Sequence, residues 1–285
     1  MTAISAPVPA AVSAAGSRVV RPRRRRRFKN LGAKVFLVLL AIYLFVPLVV
    51  VVLFSFNQTA SLSFPIPGFS TRWYNKVLDD PEVTSALGRS AIAAFTTGLV
   101  AGSFGILAAL GIQGLPARWR GAVQTIVLVP IATPALLLAI GLAIYFNRLG
   151  IKPPKLPMAI AGHILLALPF VLLTMTAALD RFRFSLLEAA RDLGASRARA
   201  FWTITFPLVL PAVLGAVLLA AAVSIDEFII AFFTTGTDAT LPLVIYARIR
   251  RVIDPGLNAL ATILLVATTL LAVLAARSTV SSSRR

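Results

Sequence analysis

Long apolar runs separated by shorter polar segments dominate this sequence and restrict the folds that are open to it. The first run, residues 35–54, contains twenty residues without a charge. Twenty residues of α-helix extend about 30 Å, which matches the hydrocarbon core of a bilayer. Five more runs follow, at 91–112, 123–146, 158–179, 208–233 and 257–275. Because 58% of the 285 residues are hydrophobic and 13% are charged, we predict an all-α, multi-pass membrane protein with six transmembrane helices.

Arginine and lysine are unevenly distributed around these runs. If both termini are cytoplasmic, the cytoplasmic segments hold 19 of these residues and the outer segments hold nine. Positive residues favour the cytoplasmic side of a membrane, so we predict this orientation. It also places the polar segment between the fourth and fifth runs in the cytoplasm. The net charge of +18 then indicates contact with membrane lipid rather than with nucleic acid.

The ends of the chain differ from its centre. Residues 1–34 are rich in Ala, Ser and Pro, and then basic, without apolar periodicity. This composition predicts a disordered cytoplasmic tail that ends in a basic cluster at the membrane surface. Residues 35–276 are predicted to form the transmembrane domain, and residues 277–285 a short cytoplasmic tail.

The second and third runs contain glycine and proline at positions that predict local structure. Gly98, Gly102 and Gly105 in the second run predict close contact with another helix. Pro130 and Pro134 in the third run predict a kink or break, because proline lacks the backbone donor and clashes with the preceding turn. Residues 57–87 are polar and are predicted to form the first outer loop.

One long polar segment interrupts the C-terminal half. Ser185 and Glu188 have the spacing of a capping box, which predicts a helix that begins at about Leu186. Gly194 suits the left-handed residue that ends a helix. The apolar face of this helix comprises Leu186, Ala189, Ala190 and Leu193, while Glu188, Arg191 and Asp192 point elsewhere.

A second short helix is predicted directly after the first. Ser196 can cap a helix that runs through Phe201, and Pro207 and Pro211 then punctuate entry into the fifth run. The segment is therefore predicted to be a bent pair of short amphipathic helices. Such helices within a membrane protein favour docking of a partner over a purely local role for the cap and the glycine.

The same polar segment carries a spaced motif. Its members are Glu188, Ala189, Ala190, Gly194, Ile204 and Pro207. This spacing resembles the EAA loop of the ABC importer permeases, with Phe206 where leucine is usual. The likeness continues in the stretches 163–170, 224–233, 241–243 and 258–265 and covers about residues 35–275. Within that family the sequence is most similar to the second permease subunit of spermidine/putrescine importers.

The resemblance implies the type I ABC importer permease fold in the bacterial inner membrane. In that family the segment between spans four and five docks on a cytoplasmic ATPase, which implies coupling by residues 185–201. The implied coupling residues are Ser185, Glu188, Ala189, Ala190, Asp192 and Gly194. The implied partners are a second permease subunit in a heterodimer, a dimer of ATPase subunits and an extracytoplasmic substrate-binding protein.

The sequence contains no GxxxxGK[ST] phosphate-binding loop. ATP and Mg²⁺ are therefore expected on the partner ATPase, and this chain is expected to bind no cofactor. It has no cysteine and one histidine, and no Ser/His/Asp or HExxH arrangement, so we expect neither catalytic residues nor a metal site. For His163 we expect a hydrogen bond across helices.

The acidic residues of the fifth run are candidates for the substrate pathway. Ionisable groups inside a span are costly, and Asp226 and Glu227 lie 18 and 19 residues after Leu208. In a continuous helix at most one of the two would face the pathway, because neighbouring residues diverge by about 100°. A carboxylate there suits a polycation, and Phe228 is a candidate for stacking on an aliphatic amine. Pairing with Arg248, Arg250 or Arg251 in the outer loop is an equal alternative.

The sequence leaves the cargo open. The resemblance favours a polyamine, but related permeases carry iron, thiamine, phosphonate or sulfate. A secondary transporter or channel is the alternative from another class. It would require charges near the midplane or an inverted repeat, and the sequence offers neither.

Overall fold

The computed structural model describes residues 31–152, 154–182, 185–251 and 254–282. Within these ranges the chain is helical, and the only β-pairing is an isolated bridge between Asn57 and Phe69. The α-helices there are α1 (Leu31–Ser55), α2 (Arg72–Leu78), α3 (Pro81–Gln113), α4 (Ala117–Ala132), α5 (Ala135–Arg148), α6 (Leu156–Leu179), α7 (Ser185–Asp192), α8 (Arg197–Ala200), α9 (Phe206–Ile225), α10 (Ile229–Thr234), α11 (Leu241–Ile249) and α12 (Pro255–Ser282). The predicted all-α class is confirmed.

Five described helices are long and apolar enough to cross a membrane. They are Gly32–Ser55, Pro81–Gln113, Leu156–Leu179, Arg197–Ile225 and Pro255–Ser278. The bent pair of α4 and α5 supplies a sixth crossing if it counts as one span. Each of these helices overlaps one of the six predicted runs, with different bounds.

The chain divides into two compact units, residues 1–47 and 48–285. In the first unit the described part is the start of α1, which begins at Leu31, four residues before the predicted span. Its apolar side chains, such as Phe36 and Tyr43, are exposed, as suits a lipid-facing helix. Residues 1–30 of the predicted disordered tail lie outside the described residues, whereas residues 31–34, also predicted to be disordered, belong to α1.

The core of the second unit lies where α3, α6 and α9 pack together. The predicted glycine contact is confirmed there. A Cβ atom added at Gly102 would lie 2.6 Å from Cγ2 of Val217 in α9, and one at Gly105 would lie 2.4 Å from Cγ1 of Val171 in α6. Because glycine lacks that atom, the three helices approach closely enough to bury a continuous apolar cluster.

The predicted break in the third run is confirmed. Helices α4 and α5 meet at an angle of 96°. Thr133 is extended, with ψ 131°, because the ring of Pro134 disfavours helical geometry in the preceding residue. The bend is sharper than an ordinary proline kink and divides the run into two shorter helices.

Two segments that were predicted to be outer loops contain helices. Residues 57–87 contain α2 and the first turns of α3, so the prediction of a loop there was wrong. The side chain of Asp80 accepts a hydrogen bond from the N–H of Glu82, and Pro81 occupies the first helical position. Both features start a helix well before the apolar run. The segment before Pro255 likewise contains α11.

Polar contacts mark the two ends of the second unit. At one end Arg248 binds Asp80 and Glu82, and Lys76 lies 3.8 Å from Asp254. At the other end the side chain of Gln113 donates to Asp180 at 3.2 Å, close to the start of α7. Helix α3 runs from the first end to the second, and α9 runs back.

Candidate functional site

Helix α7 ends as its sequence predicts. Gly194 has φ +85°, in the left-handed region. Its N–H donates to the carbonyl of Arg191 at 2.8 Å, and the N–H of Ala195 donates to the carbonyl of Ala190 at 2.9 Å. This pair of bonds is the Schellman motif, which satisfies the last carbonyls of a helix. Gly194 is exposed, and a Cβ atom there would meet no atom within 4 Å, so backbone conformation alone calls for glycine.

The two helix starts agree with the sequence to different degrees. Ser196 accepts a hydrogen bond from the N–H of Arg199 at 3.2 Å, which confirms it as the cap of α8. Ser185 is the first residue of α7 rather than the residue before it, so the helix begins one position earlier than predicted. Glu188 in the first turn and Arg191 in the last both complement the helix dipole.

Helix α7 has one side open and one side turned towards the bundle. On the open side Leu186 is 42% exposed and Leu193 is 89% exposed, and Glu188, Ala189 and Asp192 are also exposed. On the other side Leu187 and Arg191 line a cavity of about 220 Å³ against the ends of α3 and α6. An apolar stripe left uncovered beside a packed one is the surface that a partner protein would need.

Helix α8 is continuous with the fifth span. A π-helical turn, Phe201–Thr205, joins it to α9, so that Arg197–Ile225 forms one helix of 29 residues. Pro207 and Pro211 lie inside α9 and do not separate residues 185–201 from the span, contrary to the sequence prediction. The wide turn precedes Pro207, whose ring would otherwise clash with the carbonyl of Thr203.

The fifth span stops before the two acidic residues. Helix α9 ends at Ile225 and α10 begins at Ile229, so the prediction of a span as far as residue 233 was wrong. Glu227 causes part of this change, because its side chain accepts the N–H of Ile230 at 2.9 Å and so caps α10. We call residues 226–228 the acidic break.

Both acidic residues line one open cavity of about 470 Å³, which we call the acidic cavity. Its lining residues are Ala222, Val223, Asp226, Glu227, Thr268, Thr269 and Ala272. The expectation that only one acid could face such a space assumed a continuous helix, and the break removes that restriction. Asp226 is exposed and Glu227 is half-buried. The sequence analysis did not identify Thr268 and Thr269 as cavity residues, although two adjacent threonines in an apolar span can indicate a polar cavity wall.

Two of the three arginines predicted as alternative partners of the acidic break are engaged elsewhere. Arg248 binds Asp80 and Glu82, and this guanidinium lowers the pKa of the Asp80 carboxyl. Arg250 hydrogen-bonds the hydroxyl of Tyr246 and lies over its ring, 4.6 Å from the centroid. In the part of the chain that the structure describes, no ion pair joins Asp226 or Glu227 to an arginine.

The remaining candidates of this region are packed. The ring of Phe228 lies 4.9 Å from that of Tyr246 and 5.7 Å from that of Phe232, centroid to centroid. His163 is 1% exposed, and its Nδ1 lies 2.9 Å from Oγ of Ser224, near the end of α9. The expected hydrogen bond across helices is thus confirmed.

Comparison with known proteins identifies the family. Residues 101–285 match the family described as binding-protein-dependent transport system inner membrane component. The chain belongs to this family. It is therefore a non-catalytic permease subunit of a bacterial ABC importer, located in the inner membrane, and ATP is hydrolysed on a separate subunit. The assignment favours the importer over the secondary transporter or channel.

Two related proteins of known function match most of the length of this permease. It is 33% identical to the spermidine/putrescine transport system permease protein PotC of Escherichia coli (strain K12) over 225 residues, 79% of this chain and 84% of that protein. It is 30% identical to the putrescine transport system permease protein PotI of the same strain over 231 residues, 78% of this chain and 82% of that protein.

Solved structures support the same fold at lower identity. A bacterial ABC transporter involved in the import of the acidic polysaccharide alginate matches with a TM-score of 0.63 and 18% identity, over 89% of this chain and 95% of that chain. The MetNI methionine ABC transporter matches with a TM-score of 0.56 and 18% identity, over 71% of this chain and 99% of that chain. At this identity the likeness concerns the fold alone.

Proposed function

We propose that this permease subunit carries a polyamine across the inner membrane and that the acidic break lies on the substrate path. The observation that carries the proposal is the pair of carboxylates, Asp226 and Glu227, on the wall of one cavity. The 33% identity to PotC, a spermidine/putrescine permease, supports the choice of cargo. A polyamine carries several ammonium groups at neutral pH, and each can donate charge-assisted hydrogen bonds to a carboxylate.

The cavity offers complementary groups beside the acids. The hydroxyl groups of Thr268 and Thr269 supply further oxygen acceptors, while Ala222, Val223 and Ala272 leave apolar wall for a methylene chain. A flexible diamine or triamine alternates charged and apolar segments in the same way. Weak binding suffices here, since an external binding protein can supply selectivity before the substrate reaches the membrane.

The coupling segment, residues 185–201, is proposed to receive the ATPase. Leu186 and Leu193 present an uncovered apolar stripe, with Glu188 and Asp192 beside it. Closure of an ATPase dimer that grips this stripe would move α8, and α9 would follow because the two form one helix. The proposed assembly contains a second permease subunit in a heterodimer, two ATPase subunits with ATP and Mg²⁺, and an extracytoplasmic binding protein. The proposed orientation has both termini in the cytoplasm.

The test is uptake of labelled spermidine and putrescine by the reconstituted assembly. Asp226→Asn combined with Glu227→Gln removes both charges and keeps the shapes, so uptake is expected to fall at least about tenfold. Basal ATP hydrolysis and copurification with the partner subunits are expected to persist. Asp79→Asn is the matched control, because Asp79 is an exposed acid outside the cavity. Unchanged uptake kinetics in the double variant would remove the acidic break from the pathway.

A further inference from the structure

Two consecutive residues of α6 hold the two sides of the acidic break. His163 bonds Ser224 before the break, with 2.9 Å between Nδ1 and Oγ. Gly162 contacts Ile230 after it, since a Cβ atom at Gly162 would lie 2.4 Å from Cγ2 of Ile230. His163, Ser224 and Ile230 are all at most 3% exposed. We call Gly162 and His163 the α6 brace.

The residues that the brace holds are the ones whose backbone orients the acids. The carbonyl of Ser224 accepts the N–H of Asp226, and the N–H of Glu227 lies 3.4 Å from the same oxygen. On the other side, the N–H of Ile230 donates to Oε1 of Glu227 at 2.9 Å. A shift of Ser224 or Ile230 would therefore move both carboxylates relative to the wall formed by α12.

The imidazole of His163 forms one directional hydrogen bond, to Ser224. Its Nε2 is buried and has no hydrogen-bond partner among the residues that the structure describes, so the ring is oriented by the single bond to Ser224. The apolar core of α3, α6 and α9 is built by other side chains, among them Ala101, Val171 and Ala216. Loss of the Ser224 hydroxyl should thus free the end of α9 without dissolving the bundle.

We propose that the α6 brace positions Asp226 and Glu227 in the acidic cavity and so sets which amines the permease accepts. His163 and Gly162 act through Ser224 and Ile230 and are positioning residues. The part that concerns amines rests on the proposed function, whereas the position of the carboxylates does not.

The first experiment measures the charge of the cavity without any transport. The chain contains no cysteine, so Ala272→Cys places a single thiol on the exposed cavity wall of α12. The assembled complex in nanodiscs is treated with a cationic and with an anionic methanethiosulfonate, and the mass of this chain gives the two rates. Nearby carboxylates should speed the cationic reagent at least about threefold relative to the anionic one. Neutralising Asp226 and Glu227 should abolish the preference.

Brace variants are then added to the cysteine background. Ser224→Ala is expected to reduce the cationic preference by about half or more, and Ser224→Thr, which keeps the hydroxyl, to restore it. Gly162→Ala is expected to act like Ser224→Ala, because the added methyl group displaces Ile230. Thr262→Val is the matched control: its buried hydroxyl bonds the carbonyl of Asn258 within its own helix, so the preference should not change.

The second experiment compares spermidine and putrescine uptake by the same variants without the cysteine. Ser224→Ala should change the ratio of the two KM values at least about threefold while kcat changes less. The substitution alters the geometry of substrate binding and leaves the ATP-driven movement of the helices unchanged. A rate preference that survives Ser224→Ala and Gly162→Ala, or a thiol at position 272 that neither reagent reaches, would overturn the brace. A lost rate preference with no polyamine uptake by any form of the assembly would uphold the brace and overturn the cargo.

Discussion

Helices α7 and α9 end at opposite ends of the second unit, and they end for different reasons. Helix α7 stops because Gly194 adopts φ +85° and the following N–H groups close a Schellman motif. Beyond its chain neighbours, no residue in the described part of the chain lies within 4 Å of a Cβ atom placed there. Helix α9 stops at Ile225, where buried residues of α6 hold both sides of the break.

This difference indicates how each helix end should respond to a substitution. The end of α7 depends on a few adjacent residues and is open to a partner, so a local substitution should disturb coupling and leave the bundle intact. The end of α9 depends on packing across helices, so its geometry is tied to the fold. We test this contrast at the end of α7 and at the ion pairs that Arg248 forms with Asp80 and Glu82, beginning with the largest expected effect.

Gly194→Pro should uncouple transport. Proline fixes φ near −65° and removes the N–H that bonds the carbonyl of Arg191, so the Schellman motif cannot form. Substrate uptake by the reconstituted assembly is expected to fall more than about tenfold, while ATP hydrolysis continues. Gly150→Pro is the matched control, because Gly150 also has positive φ, open surroundings and an N–H bonded three residues back. Equal losses in both variants would contradict a special role for α7.

Glu188→Lys should weaken coupling several-fold. It reverses a charge in the first turn of α7, where the helix dipole favours an acid by about 0.3–1 kcal/mol, and alters the open surface. The measurement is stimulation of ATP hydrolysis by the loaded binding protein. Glu188→Gln separates the two causes, since it keeps the side-chain shape. If both variants remain fully stimulated, the open face of α7 is not the docking surface.

Ser196→Ala should have a smaller effect of the same kind. It removes the cap bond to the N–H of Arg199, which is worth about 1 kcal/mol in helix starts of this type. We expect a reduction in coupled uptake of less than about fivefold, with no change in the amount of assembled complex. Ser103→Ala serves as the control, because that exposed hydroxyl only bonds its own helix. A loss as large as that of Gly194→Pro would show that α8 is more sensitive than its local contacts indicate.

The smallest expected effect concerns the ion pairs of Asp80 and Glu82 with Arg248. Arg248 lowers the pKa of Asp80, so the folded protein binds this proton less readily than the unfolded chain. The stabilisation is therefore complete above the ordinary value of 3.8 and is lost as the pH falls through the lower folded value. Thermal unfolding measured from about pH 6 to pH 3 should show a slightly shallower decline for Asp80→Asn. Asp79→Asn should keep the full decline.

The sequence predicted those features whose cause lies in neighbouring residues. The left-handed Gly194, the cap at Ser196 and the break beside Pro134 each follow from the conformational preference of one or two residues. The close helix contact at the glycines of α3 was also predicted, because small residues at this spacing allow two helix backbones to approach closely. The family motif predicted the permease fold, since its spacing extends over twenty residues.

The features that the sequence did not predict depend on distant contacts. Residues 208–233 form one apolar run, and hydropathy alone gives no sign that α9 stops at Ile225. The residues on either side of the break contact Gly162 and His163 of α6, which lie about sixty residues earlier in the chain. For α4 and α5 the prolines predicted a break but not its angle of 96°. The early start of α3 was not predicted, because its first ten residues include several polar side chains and the apolar run begins only at residue 91.

The continuous helix Arg197–Ile225 has a geometric consequence. Its 29 residues extend about 43 Å at 1.5 Å per residue. A rigid tilt of only about 5° around one tip displaces the opposite tip by roughly 4 Å, somewhat less than the α-helical pitch of about 5.4 Å. Small rotations imposed at Arg197 are thus magnified into ångström-scale travel at Ile225, beside the carboxylates.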